Sequence, residues 1–145
     1  MPLKANGDDI INFVKEKKPL NPVFVDCTAS YDLPERYLDI LNAGMSIATP
    51  NKRANSMNIK FYRDLRKTAN KMKRRFLYET NVGAGLPIID TLQNLYKSGD
   101  KLERFNGIMS GSLSYIFGKL DEGVPFSKAV LEARELRYTE PDPRD

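Results

Sequence analysis

Any proton transfer by this 145-residue chain has to proceed without imidazole, because the sequence contains no histidine. Ser-His-Asp and Cys-His catalysis, and zinc sites that need histidine, are therefore unavailable from its own residues. Lysine, aspartate, glutamate, tyrosine and the single cysteine, Cys27, remain as acids and bases. Three stretches place such groups where chemistry is possible. In "TPNKR", residues 49–53, Lys52 can hold a phosphate, polarise a carbonyl or orient a carboxylate, although a loop lysine is often only solvated. In "NVGAGLP", residues 81–87, two glycines permit tight curvature that leaves carbonyls unpaired. With Glu79 just upstream, those carbonyls suit a hard cation, and a purely structural turn fits the spacing equally well. The same stretch fails as a dinucleotide fingerprint, because Ile88 occupies the place of the third glycine and the loop does not follow the first strand. In "YTEPDPRD", residues 138–145, Pro141 and Pro143 push Glu140 and Asp142 toward extended backbone. Such a stiff segment either presents Tyr138 and Glu140 at a fixed position, for example to an ammonium group, or serves as a proline-rich linker.

The elements that must position these groups follow from periodicity. Asp8 or Asp9 caps a helix running to about Lys17, with Ile10, Ile11 and Val14 on one side and the Pro19 and Pro22 pair ending it. "VFVDCT" (23–28), "MSIAT" (45–49) and "RFLYET" (75–80) are short, β-branched or apolar runs expected to be strands. Between them, residues 32–42 read as a helix closed by Gly44, and residues 56–73 as a long helix on an Ile59, Tyr62, Leu65, Ala69, Met72 face. Strands alternating with helices imply a parallel sheet. The loops leaving the carboxyl ends of parallel strands share one rim, where ligands bind. Here those loops are residues 26–30, 49–53 and 80–85. Further on, Pro87 opens a helix closed by Gly99, and "KLERFNGIM" (101–109) is expected to be a strand. A helix is expected over 113–121, and a last one from a Ser127 cap to about Leu136, with Phe126 and Leu131 spaced as a hydrophobic staple.

Composition bounds the classes. The 41% hydrophobic and 29% charged fractions are those of a soluble globular protein of one-domain length. No apolar run approaches the ~20 residues of a membrane span, and the first residues lack the apolar core of a signal peptide. A lone cysteine excludes an internal disulfide and points to a reducing compartment, the cytoplasm. Between Lys60 and Arg75 lie eight basic residues against one acid, an excess of seven where the whole chain carries +4. These residues interleave with a regular apolar face and bring no aromatic platform, so the solvated side of a packed helix fits better than a nucleic-acid surface. No nucleic-acid or membrane partner is expected.

Taken together and in order, "VDCT", "TPNK", "NVGAGLP", "GIMSGSLSYIF" and "YTEPDPRD" resemble homoserine dehydrogenase from residue 21 to the last, and "FGKLDEG" is similar to the form fused behind an aspartate kinase. The resemblance implies an α/β fold. A partial Rossmann-like parallel sheet with helices over 1–80, the C-terminal part of a dinucleotide-binding domain, leads into the start of an α/β catalytic and dimerisation domain over 81–145. It also implies the NAD(P)H-dependent interconversion of aspartate semialdehyde and homoserine by hydride transfer, in the aspartate-derived amino-acid pathway, by a homo-oligomeric parent enzyme. Thr28 and Lys52 would line the nicotinamide side of the NAD or NADP site, with Lys52 also acting in proton handling or substrate orientation. Gly111, Ser112, Tyr138 and Glu140 would contact the substrate, with Glu140 meeting its amino group. Glu79 and the backbone of Val82, Ala84 and Leu86 would form a monovalent-cation site, of sodium type.

Departures from the family pattern carry expectations too. No glycine-rich pyrophosphate turn precedes "PVFVDCT", and the helix bearing the family's proton-donor lysine would follow "EPDPRD". A fragment of the enzyme is the expected reading, with weak or absent dinucleotide binding and no turnover by the isolated chain. A non-catalytic assembly module, dimerising through open sheet edges, is the alternative from another class. Arg137 stands where the family usually has glycine, which bears on the turn before Tyr138.

Overall fold

A computed structural model describes residues 7–143, in two compact units divided between Asn81 and Val82. In the first, helix α1 (Gly7–Lys17) is followed by strand β1 (Val23–Val25), the short helices α2 (Asp32–Glu35) and α3 (Tyr37–Asn42), and strand β2 (Ser46–Ala48). Helices α4 (Arg53–Ser56) and α5 (Ile59–Lys71) then lead to strand β3 (Phe76–Leu77) and a 3₁₀ turn, Glu79–Asn81. The strands form one parallel sheet in the order β1-β2-β3, with Phe24 opposite Ile47 and Ile47 opposite Phe76. Parallel pairing and helical crossovers agree with the Rossmann-like expectation, and the strands are shorter than their apolar runs.

Ile47, at the centre of the middle strand, is fully buried, as are Tyr37, Ile40 and Leu41 of α3 and Leu65 of α5. Each such side chain contributes roughly 1.5–3 kcal/mol of burial. Ile11 and Val14 of α1 and Ala69 of α5 complete this core. The basic residues of α5 lie around that apolar stripe, and Arg66 stacks over the Tyr62 ring at 3.3 Å.

Several local expectations are corrected. Asp8 and Asp9 lie inside the first turn of α1, where they complement the helix dipole rather than cap it. The helix expected over 32–42 breaks at Arg36, whose amide donates to Leu33 O at 3.0 Å in a tightened turn. Ser56 ends α4 rather than starting the long helix. Asn58 is the cap of α5, in extended conformation and accepting from Phe61 N at 2.8 Å.

The second unit contains α6 (Ile88–Lys97), α7 (Gly111–Asp121) and α8 (Phe126–Glu135). Helices α7 and α8 pack through Ile116, Ala129 and Ala133. Ser110 caps α7, its hydroxyl accepting from Leu113 N at 3.2 Å. The strand expected over 101–109 is not formed. A strand needs a hydrogen-bonding partner, and no described strand pairs with this stretch, which leaves Leu102, Phe105, Ile108 and Met109 exposed. Helix α8 starts two residues earlier than expected, after Pro125, so Ser127 lies within it and does not cap it. Phe126 then belongs to the helix and cannot staple its entry, and both Phe126 and Leu131 are exposed.

Before α6 the chain turns through Gly83 at φ +72° and Ala84 at φ +51°. A Cβ on Gly83 would stand 2.2 Å from the Ile88 Cδ1. Gly83→Ala combines a left-handed backbone with that overlap, and should destabilise the second unit by about 1–3 kcal/mol. Urea unfolding followed by helix circular dichroism measures it, and an unchanged midpoint would contradict this role for Gly83.

Candidate functional site

The carboxyl ends of β1 and β2 are joined by a polar network built on Asp26, which is 1% exposed. Its backbone amide continues the ladder to Ala48 O at 3.1 Å, while its side chain turns to the loops. Oδ1 accepts from the Thr28 amide at 2.8 Å and from the Thr28 hydroxyl at 2.7 Å, closing an Asx turn. Oδ2 accepts from the Tyr37 hydroxyl at 2.5 Å and from Asn51 Nδ2 at 3.3 Å. Burial, and next the hydrogen bond to Asp26, push the Tyr37 phenol well above its ordinary value, so it stays a neutral donor.

Asn51, itself buried, binds both loops. Its Nδ2 donates also to Ser30 O at 3.0 Å, its Oδ1 accepts from Arg53 N at 3.0 Å, and its amide donates to Thr49 Oγ1 at 2.9 Å. The Thr49 hydroxyl also contacts Asp26 O at 2.9 Å and the Tyr37 hydroxyl at 3.0 Å. Lys52, exposed between these anchors, is the residue just before α4, and its carbonyl accepts from Asn55 N at 3.1 Å. Thr28 is likewise exposed, and its hydroxyl accepts from Ser30 N at 3.1 Å. The third loop is tied to the second. With its amide oriented to satisfy both ends, Asn81 donates to Thr49 O and Pro50 O, each at 3.1 Å, and accepts from Asn55 Nδ2 at 2.8 Å.

Thr28 and Lys52 thus stand on one rim, on adjacent loops held by a shared carboxylate. Sequence reasoning singled out the two exposed residues and missed the buried Asp26, Tyr37 and Asn51 and the half-buried Asn81. A polar side chain inside an apolar run, such as the aspartate of "VFVDCT", was the available signal.

In the second unit, Ser112 in the first turn of α7 donates its hydroxyl to the Tyr138 carbonyl. Tyr138 packs edge-on against Tyr115, with ring centroids 5.1 Å apart. It is set by a Schellman ending to α8. Tyr138 N donates to Ala133 O at 2.8 Å and Arg137 N to Arg134 O at 3.0 Å, with Arg137 at φ +60°. The residue expected to be glycine therefore occupies the one position of this cap that favours glycine. Gly111 is exposed beside Ser112, and Glu140 is half-buried past the turn.

Glu79 opens the 3₁₀ turn at the end of the first unit, while Val82, Ala84 and Leu86 begin the second. Leu86 N donates to Gly83 O at 3.0 Å, and Ile88 N to Leu86 O at 2.9 Å. No group of three or more His, Cys, Asp or Glu side chains with metal-site geometry occurs among the described residues, and no helix there is long and apolar enough to cross a membrane.

Comparison with known proteins identifies the family. The model for the homoserine dehydrogenase NAD binding domain matches residues 2–79, and that for homoserine dehydrogenase matches residues 87–145. A bifunctional aspartokinase/homoserine dehydrogenase from Haemophilus influenzae is 51% identical over 141 residues, 97% of this chain and 17% of that protein. One from Buchnera aphidicola is 49% identical over 142 residues, 98% of this chain and again 17% of the relative. The chain thus spans about a sixth of the length of these curated relatives. The solved structure of a hyperthermophilic archaeal homoserine dehydrogenase in complex with NADPH matches with a TM-score of 0.73 at 30% identity, covering 92% of this chain and 40% of that one. The chain belongs to the homoserine dehydrogenase family.

Proposed function

We propose that this chain is the part of an NAD(P)-dependent homoserine dehydrogenase that presents the nicotinamide side of the cofactor and part of the substrate-binding segment. The parent enzyme interconverts aspartate semialdehyde and homoserine. The observation that carries the reading is the rim on which Thr28 and Lys52 are fixed by one buried carboxylate, within the stretch matched by the NAD-binding model. The residues fit the group. An exposed hydroxyl and an exposed ammonium at the ends of parallel strands suit a polar cofactor edge.

Bound NADP(H) supplies or accepts the hydride. Thr28, its hydroxyl proton given to Asp26, offers the remaining lone pair of that oxygen to the nicotinamide edge. Lys52 neutralises negative charge building on the aldehyde oxygen and orients that carbonyl. Glu140 holds the substrate ammonium, while Gly111, Ser112 and Tyr138 shape the segment around it, the α8 cap fixing Tyr138. The parent works as a homo-oligomer on a small-molecule substrate, in the cytoplasm.

The test is a chimaera in which this chain replaces the matching 141 residues of the Haemophilus influenzae relative. A charge-assisted hydrogen bond is worth about 1.5–3 kcal/mol. Glu140→Gln in that chimaera should therefore raise KM for homoserine roughly 10- to 100-fold while leaving KM for NADP nearly unchanged. Equal effects on both substrates would remove Glu140 from the ammonium contact.

A further inference from the structure

We infer that Asp26, Tyr37 and Asn51 are positioning residues, a buried carboxylate clamp that locks the Thr28 loop to the Lys52 loop at one fixed separation. What Thr28 and Lys52 then do rests on the dehydrogenase reading, whereas the clamp rests on geometry alone. The sheet itself ties β1 to β2 only as far as Asp26 N–Ala48 O. Beyond that rung, side chains alone carry the link.

The Asp26 carboxylate is saturated by protein donors, two from Thr28 on Oδ1 and one each from Tyr37 and Asn51 on Oδ2. All four favourable acceptor positions are occupied, so the group has no capacity left to act as a base toward a ligand. A buried ionisable side chain is also a poor source of net stability, since packed apolar residues do as well. What it adds here is a definite geometry. Oδ1 sets where the Thr28 hydroxyl stands, and Oδ2 sets the Asn51 amide. Asn51 in turn fixes the residues on both sides of Lys52, through Thr49 Oγ1 before it and Arg53 N after it. Tyr37, fully buried in α3, fixes the carboxylate from beneath. A ligand that displaces either loop therefore moves the other.

Amide exchange in the 145-residue chain decides the clamp without reference to turnover. Asn51→Ala, on the second loop, should lower protection of the Thr28 amide on the first by about tenfold or more, with the Leu65 and Ala69 amides of α5 unaffected. Tyr37→Phe keeps the aromatic packing, removes only the phenol donor, and should act in the same direction; it decides the matter if Asn51→Ala does not fold. Thr28 protection unchanged in the folded variants would overturn the clamp. In the chimaera, Tyr37→Phe should raise KM for NADP about tenfold and leave KM for homoserine within about twofold. A chimaera without turnover whose Thr28 amide responds faults the dehydrogenase reading and supports the clamp. An active chimaera whose loops exchange independently overturns the clamp alone.

Discussion

Asp26→Ala should cost the first unit about 3–5 kcal/mol, a large share of the stability of a domain this size. The substitution removes an acceptor that serves the Thr28 amide and hydroxyl, the Tyr37 hydroxyl and the Asn51 amide. Of these donors, the Tyr37 hydroxyl and the Asn51 amide belong to buried residues; Thr49 Oγ1 and Ser30 O remain beside them, but water cannot replace the bonds lost to the carboxylate. Each buried donor left unsatisfied costs about 1–3 kcal/mol, partly offset because a desolvated carboxylate is no longer carried. Asp26→Asn should lose somewhat less, since one oxygen survives while the new amide faces donors. Urea unfolding of the purified variants measures both, and a loss below about 1 kcal/mol for Asp26→Ala would mean that the network is not formed.

Lys52→Ala should have the largest effect on turnover. In the chimaera we expect kcat/KM to fall by roughly 10²- to 10³-fold, the range for removing a group that stabilises developing charge. Lys52 is exposed, so its truncation should leave the unfolding midpoint nearly unchanged, which separates chemistry from folding. Lys52→Arg should restore little, because a planar guanidinium presents its donors in a different geometry from a compact ammonium. A tenfold or smaller loss on Lys52→Ala would reduce the residue to a solvated loop lysine.

Much of this was legible in the sequence, and the reasons are specific. The order of strands and helices up to residue 77 follows from alternating runs of β-branched and helically spaced apolar residues, and parallel pairing follows from that alternation. Thr28 and Lys52 were legible because exposed polar residues just past strand ends stand out. Asp26 and Tyr37 were not, because a buried polar residue betrays its partner only through contacts distant in sequence, such as Tyr37 to Thr49 twelve residues on. Asn51 was passed over for the lysine beside it. Residues 101–109 misled for the opposite reason. Their apolar residues favour a strand locally, but pairing is supplied by tertiary context, and none of the described strands offers it. Helix starts were the least legible, since Asn58 and Ser56 are both plausible caps and only the backbone conformation separates them.

The most direct test of the central claim is homoserine-dependent reduction of NADP by the chimaera carrying this chain in place of its Haemophilus influenzae counterpart. At 51% identity, with Thr28, Lys52, Ser112, Tyr138 and Glu140 all supplied by this chain, turnover should lie within about tenfold of the Haemophilus influenzae enzyme. A folded chimaera that binds NADP yet shows no homoserine-dependent reduction would contradict the account.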